Sequence, residues 1–186
     1  TMVRRFGRKT GAARDPVAVD GATFLNGLAV GPAGAVYVSD SGMGAGPKGL
    51  RPSGSDAIWR VTREGKPQIV IESTQLAGPN GLVAADDGIW VVSFRSNLLC
   101  RVAEGKIQEK LTLPKGSLDG LVRLDDGSFL AASWSAQAIF RGKPGGPFAI
   151  AVRKVQAPAD IAYDAKRKRL LIPLFTDNAL RIVPLE

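Results

Sequence analysis

Asn26-Gly27-Leu28-Ala29-Val30, Asn80-Gly81-Leu82 and Asp119-Gly120-Leu121 are three versions of one phrase, and Asp160-Ile161-Ala162 is a looser fourth. Their first residues are separated by 54, 39 and 41 positions. After the first phrase come Gly34-Ala35-Val36-Tyr37-Val38, Ala57-Ile58-Trp59-Arg60-Val61 and Gln68-Ile69-Val70-Ile71. After the second come Gly88-Ile89-Trp90-Val91-Val92, Leu98-Leu99-Cys100-Arg101-Val102 and the stretch from Ile107 to Leu113. The third copy repeats the plan with Phe129-Leu130-Ala131, Ala138-Ile139-Phe140-Arg141 and Pro147 to Val152. The fourth stops after Ala179-Leu180-Arg181-Ile182-Val183. Runs this short, rich in Val, Ile and aromatics and divided by Asp87-Gly88, Glu104-Gly105 and Asp126-Gly127, are strands joined by turns. No segment offers ten or more residues at helical period with caps.

A repeating unit of about forty residues and four strands is the blade of a β-propeller. The expected fold is therefore all-β: a propeller of about four blades spanning 24–78, 79–117, 118–157 and 158–186. The first interval is longer because Ser41 to Ser55 is a Gly/Pro-rich insertion between two strands. Residues 16–186 form one domain in this reading, and the basic segment 1–15 is expected to be poorly ordered. Trp59, Cys100 and Phe140 occupy matching third-strand positions, which predicts that they pack between blades. The fourth copy lacks a last strand. Pro16 to Val19 could close the ring as that strand, or could be the outer strand of a preceding blade, which is the favoured reading.

The bulk properties narrow the function. The 186 residues are 45% hydrophobic and 23% charged, as expected of a globular chain with a real core. The absence of His removes a Ser-His-Asp triad and the usual zinc sets. A single Cys excludes an internal disulfide framework. No run of eighteen apolar residues is present, so no membrane-spanning helix is expected. The net charge of +8 comes largely from Arg4, Arg5, Arg8, Lys9 and Arg14 and from Lys166-Arg167-Lys168-Arg169. No aromatic residues interleave with the second run, so nucleic acid is not the expected partner.

The phrases Phe24-Leu25-Asn26-Gly27-Leu28, Pro79-Asn80-Gly81-Leu82 and Leu118-Asp119-Gly120-Leu121 resemble the senescence marker protein/gluconolactonase family, which includes regucalcin. So do Val36-Tyr37-Val38-Ser39-Asp40 and the ending Pro173-Leu174-Phe175-Thr176-Asp177-Asn178. The resemblance runs from about residue 16 onward. It implies part of a six-bladed propeller with one divalent cation at the top of the channel. Calcium is the first expectation, with zinc, magnesium or manganese also suited to such donors. It further implies that Asn80 and Asp119 are metal ligands, that Asp119 doubles as the general base, and that Asn26 contacts substrate. The substrate would be a small lactone or ester. Two features depart from the family: its first-blade metal-binding Glu has no counterpart here, and Phe24 stands at a substrate-contacting position held by Arg in regucalcin-like members.

The residues alone permit two other readings. An Asn/Asp-Gly pair can be a recurrent turn with the side chain capping backbone groups, and the mouth of a propeller can bind a ligand or protein without catalysis. Phe94 and Trp134, each just past a second strand, are expected in the core, with an apolar wall at the channel mouth as the alternative. Exposed blade faces and strand edges would favour self-association of a four-blade arc. The compartment stays open: an export signal upstream of Thr1 would place the protein in the periplasm or outside the cell.

Overall fold

A computed structural model describes residues 1–185, whose regular structure is antiparallel strand apart from three short 3-10 turns. An N-terminal hairpin, β1 (Met2–Phe6) and β2 (Ala13–Ala18), precedes the repeats. The first blade consists of β3 (Leu25–Val30) and β4 (Val36–Asp40), then, after a small hairpin of β5 (Met43–Gly46) and β6 (Gly49–Pro52), β7 (Ala57–Val61) and β8 (Pro67–Glu72). The second comprises β9 (Pro79–Ala85), β10 (Gly88–Ser93), β11 (Leu98–Ala103) and β12 (Lys106–Thr112). The third comprises β13 (Leu118–Arg123), β14 (Phe129–Ser133), β15 (Ala138–Gly142) and β16 (Ala149–Arg153). A three-stranded sheet of β17 (Ala162–Asp164), β18 (Arg169–Leu174) and β19 (Ala179–Pro184) ends the array. The architecture is a four-blade propeller arrangement, as the repeat predicts.

The apolar runs are continuous because each middle strand is buried on both faces. In β10, Ile89 and Val91 turn toward Ile58 and Tyr37 of the first blade, with Cys100 of their own blade in the same layer. Trp90 and Val92 turn the other way, against Phe129, Ala131 and Phe140 of the third blade. The third blade repeats this, sending Leu130, Ala132 and Ile139 toward Leu170 and Ile172 of the last sheet. Outermost β12 has solvent on one side and alternates exposed and half-buried residues accordingly. Cys100 (0% exposed), Phe140 (1%) and Trp59 (7%) all lie in these inter-blade layers, and burial raises the Cys100 thiol pKa.

The basic N-terminal segment departs from the expected disorder. Val3 and Val17 of its hairpin pack with Val19 against Val38, Trp59 and Val61, so apolar burial orders the strands while their arginines face solvent. The β2 strand pairs with β1, and among the described residues β19 pairs only with β18. Pro16 to Ala18 thus form an outer strand on the side preceding the first blade, and they do not complete the last one. The hairpin covers only the outer part of the first blade's face. Leu28 and Val30 of the inner strand remain 53% and 71% exposed. At the opposite end, Leu180 and Ile182 are similarly open.

At the axis the Asn/Asp-Gly pairs lie inside strands, and the turn reading fails. Ladder register slips at each pair: between Leu25 and Leu28, between Leu118 and Leu121, and opposite Leu82 to Pro79. Such a slip re-aims a side chain away from the ordinary alternation. The glycines serve close approach. A Cβ on Gly27 would collide with the Asn80 carbonyl, one on Gly81 with that of Asp119, and one on Gly120 with the Ile161 amide nitrogen. Gly81→Ala should therefore lower stability by about 3 kcal/mol, because both sides of the clash are backbone. Gly146→Ala, where the nearest atom is at 3.6 Å, should change it little. Urea unfolding of the two variants checks this.

Candidate functional site

The register slips bring Asn26, Asn80 and Asp119 to one cavity of about 410 Å³ at the mouth of the channel. The cavity is otherwise lined by Phe24, Ser41, Met43, Leu50, Gly78, Phe94, Arg95, Trp134 and Phe175. Its polar groups form the floor. Asn26 Nδ2 donates to Ser41 Oγ at 3.1 Å, and the Ser41 hydroxyl donates to the Pro79 carbonyl at 2.8 Å. The Asn26 carboxamide oxygen is left as the group on offer. Asn80 is 5% exposed, and among the described residues nothing hydrogen-bonds its carboxamide. Among the described residues the buried side-chain polar atoms without a partner are those of Asp56, Trp59 and Arg169, so the Asn80 carboxamide opens onto the cavity and is available to a ligand.

Asp119 is half-buried, and Trp134 Nε1–H donates to its Oδ2 at 3.0 Å. Loss of hydration, and then repulsion from the Asp160 carboxylate, push its pKa up to about 6, against the pull of the indole hydrogen bond. Asp160 is also raised by desolvation of its carboxyl, although the residue as a whole is exposed. Asn80 and Asp119 offer hard oxygen donors of the kind that suit a divalent cation. Among the described residues no group of three or more Asp, Glu, His or Cys converges, so these two side chains alone are a sparse donor set.

The walls hold Ser41 and Phe175, which the sequence reading missed, and Phe94 and Trp134, for which an apolar wall was the alternative to the core. Ser41, Phe94, Trp134 and Phe175 are equivalent positions, because each backbone N–H donates to the carbonyl just before an anchor: Phe24, Gly78, Ser117 and Ala157, at 2.8–3.1 Å. Each is the first residue past a second strand, which aims it over the mouth. Phe94 and Trp134, expected in the core, thus line the cavity. Phe94 and Trp134 meet edge to face with centroids 5.5 Å apart, and Trp134 and Phe175 follow at 5.3 Å. The available signal was the register of those three aromatics relative to the repeat.

The Ser41–Ser55 insertion supplies the remaining wall through Met43 and Leu50. It is pinned at both ends. Asp40 accepts the backbone N–H of Thr23, Phe24 and Gly42, at 2.8–3.0 Å. Asp56, 1% exposed, accepts from Gly78 N–H and from Arg95, whose other guanidinium nitrogen donates to the Ser41 carbonyl at 2.7 Å. Arg95 is therefore a clamp between the second blade and the insertion.

No protein-family model and no curated protein matches the chain. Solved structures do, as propellers. A gluconolactonase from Xanthomonas campestris is 19% identical, with a TM-score of 0.74 over 98% of this chain and 65% of its own. Virginiamycin B lyase from Staphylococcus aureus is 16% identical, with a TM-score of 0.67 over 100% and 63%. A chain of a nidogen/laminin complex is 16% identical, with a TM-score of 0.71 over 98% and 74%. The chain spans less than two thirds of the length of the first two. At these identities the likeness establishes the fold: a propeller similar to those of gluconolactonases and streptogramin lyases.

The raised Asp119 pKa has a consequence for stability. Because the folded value lies above the ordinary 3.8, the folded state holds the proton more tightly than the unfolded chain. That contribution is complete below about pH 4 and is lost as pH rises through about 6. Asp119→Asn should therefore match the wild type at about pH 4 and exceed it by about 1–2 kcal/mol at about pH 7.5, after allowing for solvent screening. Thermal melts of both proteins in excess chelator measure the difference.

Proposed function

We propose that this chain carries the catalytic mouth of a lactone or ester hydrolase of the senescence marker protein/gluconolactonase type, assisted by a divalent cation. The observation that carries the reading is the pairing, in one cavity, of an Asn80 carboxamide that no described residue engages with an Asp119 carboxyl raised to about 6. Asn80 and Asp119 would hold the cation by their oxygens. A bound cation would polarise the substrate carbonyl and acidify water.

The chain's own groups account for the proton. With a cation at the site Asp119 would be ionised at neutral pH, and its carboxylate is placed to accept a proton from water as it attacks. The water oxygen bonds to the carbonyl carbon while its proton passes to Asp119. The tetrahedral adduct then expels the ring or ester oxygen, which takes the proton back from Asp119. Trp134 N–H fixes the carboxylate through Oδ2 and leaves Oδ1 for this work. Asn26, held by Ser41, presents its carboxamide oxygen to substrate hydroxyl or water.

A binding propeller without catalysis is the rival reading, favoured by the small number of metal-ligating groups. Calorimetric titration with calcium separates them first: saturable binding is expected in the wild type and none in Asp119→Ala. Equal binding by both proteins would remove the assigned site. A screen of lactones and aryl esters should then show turnover that chelator abolishes. Asp119→Asn should lower kcat by about 10²–10⁴-fold.

A further inference from the structure

Resting on that hydrolase reading, we infer that the mouth selects lactones and esters bearing an aryl or alkyl group, and discriminates against polyhydroxylated sugar lactones. Its polar capacity is confined to the floor. The Ser41 hydroxyl donates to Pro79 and accepts from Asn26, and the Trp134 indole is spent on Asp119. What remains open there is the Asn80 carboxamide, one Asn26 oxygen and one Asp119 oxygen, enough for one carbonyl and its attacking water. The cation at the rim is not free either, since Arg95 is held by Asp56 and by the Ser41 carbonyl.

Above the floor the lining is apolar. Phe94, Trp134 and Phe175 form a continuous aromatic wall, with Met43 and Leu50 of the insertion and Phe24 also lining the cavity. Phe175 and Phe24 are 66% and 37% exposed, so burying a ligand's ring against them removes apolar surface on both partners from water. A sugar lactone would place its hydroxyls against that wall without partners, and unsatisfied polar groups are penalised on burial. The carbonyl end thus binds at Asn80 and Asp119, and the apolar end lies along the ladder of rings.

The test compares dihydrocoumarin and a medium-chain δ-lactone with D-glucono-1,5-lactone, with calcium chloride in excess. The expected result is a preference of about 100-fold in kcat/KM for the apolar lactones. In Phe175→Ser, whose exposed site poses little risk to folding, KM for dihydrocoumarin should rise about tenfold with kcat nearly unchanged. Binding of the unreactive lactam 3,4-dihydroquinolin-2-one, read as tryptophan quenching that Trp134→Phe removes, gives a measure independent of turnover. Preference for gluconolactone overturns the inference and leaves the hydrolase reading standing. Lactam binding at Trp134 without turnover of any lactone preserves the ligand class and overturns the hydrolase. Neither turnover nor saturable quenching overturns both.

Discussion

Backbone-to-backbone contact between neighbouring inner strands is the constraint on which everything else rests. Gly27, Gly81 and Gly120 occupy the narrowest part of the arrangement, where even a methyl group would strike the next blade's main chain. Packing that close has a second effect. With no room for a side chain at the glycine, the strand slips its register there, and the preceding Asn or Asp is turned out of the sheet and into the channel mouth. Scaffold and site are therefore set by the same dipeptide.

The electrostatics of the mouth follow from that geometry. Polar anchors from successive blades are forced into one enclosed space whether or not they suit each other. Asp119 and Asp160 repel, Asn80 has no hydrogen-bond partner among the described residues, and the indole of Trp134 relieves only part of the strain on Asp119. A fold that only needed stability would have placed apolar residues there. The retained polarity is what separates this cavity from the dry inter-blade layers beside it.

Much of this was readable beforehand, for a definite reason. Blade layers repeat, so Trp59, Cys100 and Phe140 align with one another and are assigned to buried layers by the sequence pattern alone. The convergence of Asn26, Asn80 and Asp119 was legible for the same reason. Asp-Gly and Asn-Gly pairs, however, look alike as turns and as strand slips, because the pair's composition does not reveal whether another backbone lies against the glycine. The N-terminal hairpin was hidden because its charge outweighs Val3 and Val17, whose burial depends on a face of Trp59 that no local pattern discloses. Arg95 has no local signature, because its partners, Asp56 and the Ser41 carbonyl, lie 39 and 54 residues away.

The shared hydrogen bond that fixes Ser41, Phe94, Trp134 and Phe175 makes these four positions equivalent, while Ser41 and Trp134 are tied further to the floor through Asn26, Pro79 and Asp119. Phe94 and Phe175 can be exchanged without loss of a side-chain hydrogen bond, since the backbone that supports each is held by its own N–H. The specificity of the cavity is thus written in a four-letter alphabet, one letter per repeat. A combinatorial library at those sites would vary ligand preference in modular steps, while the glycines at the axis keep the frame unchanged.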